Sequence, residues 1–121
     1  MEMEDSNIQF REKAVDERDE EDTAQICLKT YRHGAETLIA VCDCDILGRE
    51  FREGNLHIEV CSDFYGDEKA SLSEVEDALR GATMANLVGC KVVKHAILLG
   101  WVDEDNVLSI DGVLYAQMVR M

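Results

Sequence analysis

A chain of 121 residues is long enough for one compact domain with a single core and leaves little room for a second. Its 26 acidic and 12 basic side chains give a formal net charge of −14, which repels phosphate backbones at long range and excludes non-specific nucleic-acid binding. No apolar run approaches the roughly 18 to 20 residues of a membrane span, and the start "MEMEDSNIQF" lacks the basic and then apolar composition of a secretory signal, so a cytoplasmic protein with no membrane partner is expected.

The charge is unevenly spread. Residues 1–22 hold 10 of the acidic and 3 of the basic side chains, hence −7, half the total in under a fifth of the chain. Such density with little apolar content predicts a disordered or weakly ordered acidic tail over 1–22, followed by a single domain over 23–121. Within that domain "TAQICLKTYR" alternates about Ile26 and Leu28 and runs into His33-Gly34, a strand entering a hairpin. "ETLIAVCD" is apolar and β-branched almost throughout, as a central strand buried on both faces would be. "LHIEV" alternates cleanly, with Leu56, Ile58 and Val60 inward, and reads as a third strand.

The clearest helix is "ASLSEVEDALRGA": Ser71 and Glu74 form a capping-box pattern, Leu72, Val75, Leu79 and Ala82 make its buried stripe, and Gly81 supplies a stop. "TMANLVG" reads as a strand leading into a second helix, "CKVVKHAILLG", in which Val92, Ala96 and Leu99 share a face and Gly100 ends the helix. Two apolar runs in "NVLSIDGVLYAQMVR" flank Asp111-Gly112, a type I′ hairpin signal. The expected order is βββαβαββ, an α+β domain with a mixed sheet and two helices.

The residues that carry chemistry are few. Cys42 and Cys44 are too close for structural zinc, whose paired thiolates need two to four intervening residues to converge on one ion, and no metal or cofactor is expected. Five cysteines, an odd count, favour reduced thiols over a disulfide framework. Cys90, beside Lys91 at a helix start, is the one cysteine with the positive setting that lowers a thiol pKa, but no histidine or carboxylate stands at a spacing that brings a base to it, so no catalytic residue is assigned. The turn Asn86-to-Lys91 is a candidate anion site, because Gly89 exposes amides at the positive end of a helix with Lys91 and Lys94 close by; alternatively Asn86 simply caps that helix. "CDCDILGREFREGN", Cys42 to Asn55, reads first as a connecting loop in which Asp43 or Asp45 can cap a short helical turn; if the turn is helical, Arg49 and Arg52 lie on one side as a basic spot for a partner, and alternatively each simply pairs with Glu50, Glu53 or another local carboxylate.

Several separated stretches carry a likeness: Asp43, Leu47-Gly48, Phe51, Glu53-Gly54, Phe64-Tyr65-Gly66, Asn86-Leu87-Val88-Gly89, and Gly112 to Gln117. Over about residues 25–120 the chain resembles a small archaeal family catalogued as domain of unknown function number 424. The resemblance implies an archaeal cytoplasmic protein of one small domain, with no catalytic residue or cofactor to carry over. This chain has Leu114 and Tyr115 where the family often has a proline and a histidine, which removes a histidine from any catalytic scheme there. The expected function is a non-catalytic binding or accessory module of a larger assembly, with a protein or ribonucleoprotein partner met through Arg49 and Arg52. The alternative is a small enzyme acting on an anionic ligand at the Asn86-to-Lys91 turn with Cys90.

Overall fold

The computed structural model describes residues 26–120, so the acidic segment 1–22 and the first residues of the expected domain lie outside the described residues. In chain order the elements are β1 (Ile26–His33), β2 (Glu36–Asp43), a 3-10 turn (Cys44–Ile46), β3 (Glu50–Glu53), β4 (Leu56–Glu59) and α1 (Ser62–Tyr65). They continue as β5 (Lys69–Ala70), α2 (Leu72–Gly81), β6 (Met84–Val88), α3 (Cys90–Leu98), a second 3-10 turn (Glu104–Asn106), β7 (Leu108–Ile110) and β8 (Val113–Val119). The architecture is α+β.

Six strands form one mixed sheet in the order β5-β1-β2-β6-β8-β7, and β3 and β4 form a separate hairpin. The pairings are antiparallel except between β2 and β6, which run parallel with Val41 opposite Leu87 and Cys42 opposite Val88. That parallel pair lies at the sheet centre, and its strands are apolar on both faces because both faces are covered. The β7–β8 turn is type I′, with positive φ at both Asp111 and Gly112, as the Asp-Gly pair predicts.

Strand alternation sorts the core into two clusters. Ile26, Ile39, Val41, Ala85, Leu87, Ala116 and Met118 face α2 and α3. Cys27, Ala40, Cys42, Val88 and Tyr115 face the β3–β4 hairpin and α1, where Phe51, Val60 and Tyr65 meet them. α2 forms where the sequence predicts it: Ser71 Oγ accepts the Glu74 N–H at 3.1 Å and Glu74 Oε1 accepts the Ser71 N–H at 2.8 Å. Its stripe buries Val75 and Leu79 completely or nearly so, which contributes about 1.5 to 3 kcal/mol per side chain.

Three expectations need correction. The segment Cys42 to Asn55 is more than a connecting loop with a helical turn: Cys44–Ile46 is the helical turn, but Glu50–Glu53, which holds Arg52, is a strand, because Gly54-Asn55 makes a hairpin turn between β3 and β4. Two short elements, α1 and β5, had no clear sequence signal, and α1 makes a third helix. In α3 the buried residues are Val92, Val93 and Ala96, while Leu99 is exposed because it lies at the helix end where the chain turns away through Gly100.

Candidate functional site

The β3–β4 hairpin takes its place from one aromatic anchor and two polar ties. Phe51 and Ile58 pair across the hairpin and face the sheet. Glu53 Oε1 accepts the Asp111 N–H at 2.6 Å, fastening the hairpin to the β7–β8 turn, and the Gly48 N–H donates to the Val60 carbonyl at 2.6 Å. Strand alternation then sends Arg52 outward beside its register partner His57, with Glu50 and Glu59 paired next to them. Arg52 is 3.8 Å from Glu50 and well exposed, a geometry worth little to stability. Arg49 precedes the strand, and its guanidinium lies over the Phe51 ring at 5.1 Å. The two arginines therefore share one short hairpin but not one face of a helical turn.

Between this hairpin and the main sheet opens a groove of about 310 Å³. Leu56, Ile58, Leu108 and Ile110 give it an apolar lining, Tyr65, Asn86 and Tyr115 bring polar side chains to it, and His57 also borders it. Tyr65 is buried on α1, and its hydroxyl donates to Asn86 Oδ1 at 3.4 Å. Burial, with Tyr115 and Cys42 nearby, pushes the Tyr65 pKa up, so the phenol stays a proton donor. Asn86 pairs with Gln117 in the β6–β8 register, and Gln117 Nε2 donates to the Tyr115 hydroxyl at 2.9 Å. Three stretches far apart in sequence, Phe64-Tyr65-Gly66, Asn86-to-Gly89 and Gly112-to-Gln117, thus meet at one place. The signal that would have found this is parity: Asn86, Tyr115 and Gln117 share a sheet face.

The turn expected to hold an anion is occupied from within the chain. Asp43, at the end of β2, reaches across to the start of α3, where its Oδ2 accepts the Lys91 N–H and its Oδ1 the Val92 N–H, each at 3.0 Å. Asp43 has no cap bond to its own 3-10 turn. Asn86 is in β6 and does not cap α3; the N-cap position is Gly89, and the capping carboxylate comes from Asp43. Burial raises the Asp43 pKa, outweighing the two amide bonds that lower it. Gly89 makes this approach feasible: its φ is +117°, and a Cβ there would lie 2.6 and 2.7 Å from the two Asp43 carboxylate oxygens. Lys94 is exposed one turn further along.

The cysteines divide in a way the sequence did not reveal. Cys27 and Cys42 are cross-strand partners and buried, and Cys44 places its Sγ 2.7 Å from Cys27 Sγ. Burial pushes the Cys44 thiol up to about 12 and Cys42 higher still. Cys90 is exposed, and its thiol lies 3.7 Å from the Gly112 carbonyl, which can accept a hydrogen bond but cannot remove a proton. His95 keeps Nε2 buried without a hydrogen-bond partner. Among the described residues no group of three or more histidine, cysteine, aspartate or glutamate side chains is arranged to hold a metal ion, and no helix is long and apolar enough to cross a membrane.

Comparison with solved structures gives a match to the crystal structure of an uncharacterized conserved protein from Methanopyrus kandleri, with a TM-score of 0.64 and 19% identity over 80% of this chain and 95% of that one. At that identity the likeness is one of fold. No curated protein matches. The model of the family described as "Protein of unknown function (DUF424)" matches residues 31–121, and the chain belongs to that family.

Proposed function

We propose that the chain is a non-catalytic binding module of a larger assembly in an archaeal cytoplasm, and that it meets its partner on the side of the sheet that carries the β3–β4 hairpin. The observation that carries this reading is the groove at which Tyr65, Asn86 and Tyr115 converge over an apolar lining. Apolar area supplies affinity, and a few placed donors and acceptors supply orientation. Arg52, opposite His57 in the hairpin register, and Arg49 over Phe51 give this side its basic groups in a chain of net −14. The partner is a protein or ribonucleoprotein met through an acidic protein surface, because a phosphate backbone would face strong long-range repulsion. An enzyme working at the Asn86-to-Lys91 turn has less support: Asp43 already holds the amides such a ligand would need, and Cys90 has a carbonyl for its neighbour.

The test is affinity capture from native extract at native salt, read by quantitative mass spectrometry. Replacing Arg49 and Arg52 together with glutamate should abolish enrichment of the partner, while Lys94→Glu on the exposed side of α3 should leave it intact. Full capture by the arginine variant, or loss confined to the Lys94 variant, contradicts the reading.

A further inference from the structure

β8 is longer than the strand beside it. The Gly89 N–H donates to the Leu114 carbonyl and the Arg120 N–H to the Thr83 carbonyl, each at 2.8 Å, so the even-numbered residues of β8 turn their backbone polar groups toward β6. Antiparallel alternation then points the odd-numbered residues the other way. On that side Val113 and Tyr115 meet Ile110 and Leu108 of β7, and the ladder stops there. No described strand pairs with Gln117 or Val119 on their outward side. The cause is the acidic run before β7: Asp103 Oδ1 accepts the Asp105 N–H at 3.1 Å, and the 3-10 turn Glu104–Asn106 draws the chain away where β7 would otherwise extend along β8. The space left beside the edge is a groove of about 470 Å³, walled by Trp101 and Met118 on the helix side and by Tyr115 and Val119 on the other.

We infer that the outward edge of β8 at Gln117 and Val119 is a strand-addition site for an extended basic peptide segment of a partner protein. An unpaired edge with pockets on both sides for alternating side chains has the geometry of strand addition, in which the main chain gives affinity and the side chains give specificity. Charge selects the occupant. Asp103 lines the groove and Glu104 and Asp105 stand exposed next to it, which favours lysine or arginine on the incoming strand. Arg120, next to Val119 in the chain, has its guanidinium engaged by the Leu79 and Arg80 carbonyls and the Trp101 ring. The chain's own residues 1–22 carry −7, and a second copy carries −14, so each would meet repulsion here. The inference rests on the chain being a binding module but concerns the outward edge at Gln117 and Val119, which adjoins the hairpin groove through Leu108 and Tyr115 and is no part of its lining, and the readout below is separate from capture by Arg49 and Arg52.

The experiment is residue-resolved amide hydrogen exchange on the full chain, alone and with a short synthetic peptide alternating lysine and valine. Alone, the Gln117 and Val119 amides should exchange freely; with saturating peptide they should slow by at least about tenfold. Asp103→Lys combined with Asp105→Lys should weaken the peptide about tenfold. Val119→Pro, which removes one outward donor and leaves the β6 ladder intact, should weaken it as well. The same peptide N-methylated at alternate residues should not bind. Equal binding of the N-methylated peptide, or of a glutamate–valine peptide, overturns the inference. So does protection of Gln117 and Val119 in the free chain, whether it grows with protein concentration, as a second copy would cause, or not, as the chain's own residues would.

Discussion

Asp43 and Gly89 act as one unit, and their coupling can be measured. Asp43→Ala removes the carboxylate that satisfies two helix-end amides and should cost about 0.5 to 2 kcal/mol by chemical denaturation. Gly89→Ala should cost more, at least about 2 kcal/mol, because it combines a positive φ with overlap onto the carboxylate. In the Asp43→Ala background the overlap is gone, so the same change should cost less, and additive losses would refute the contact. The thiols make a second case. Cys61 and Cys90 are exposed and should be alkylated first, with Cys44 slower and Cys27 and Cys42 last. Since Cys44 is raised from 9.0 to about 12, its protonated form belongs to the folded state. Its contribution to stability is therefore complete below about pH 9 and is lost as pH rises toward 12. Alkylation counted by intact mass, in folded and urea-unfolded protein, checks the order.

Among the elements, the β3–β4 hairpin depends on what it buries rather than on its charges. Phe51→Ala should destabilise by about 3 to 5 kcal/mol, whereas Arg52→Glu should stay within about 0.5 kcal/mol in the same denaturation assay. Similar losses from both would mean that the arginine has a structural role. The hairpin also marks where sequence reasoning stops. The α2 capping box and the Asp111-Gly112 turn were legible because their signals are local, and the observed bonds and dihedrals match them. β3 was not legible: four residues with one apolar member, Phe51, show too little alternation, and what holds them, burial of Phe51 against the sheet with a tie from Glu53 to Asp111, comes from residues distant in sequence. Asp43 misled for a related reason, since a local cap and a cap on a helix 48 residues away look identical in sequence. Asn86 and Tyr115 come together only through strand register, and Tyr65 reaches them from α1, an arrangement no single stretch encodes.

For the whole molecule, charge acts on the compact state and on association. Deleting residues 1–22 halves the net charge from −14 to −7, so the shorter chain should gain less thermal stability from added salt than the full chain does. Scanning both forms across salt concentration checks this, and an unchanged salt dependence would show that those residues do not contribute to self-repulsion. The central claim is that the hairpin side of the sheet receives a partner, and a footprint tests it directly. Amide hydrogen exchange of the chain in complex with its captured partner, compared with the free chain, should show protection over residues 49–58 and 113–115 and none on the exposed side of α3 at Lys94 and Leu98. Protection confined to Lys94 and Leu98, with the hairpin and β8 unchanged, would contradict the account.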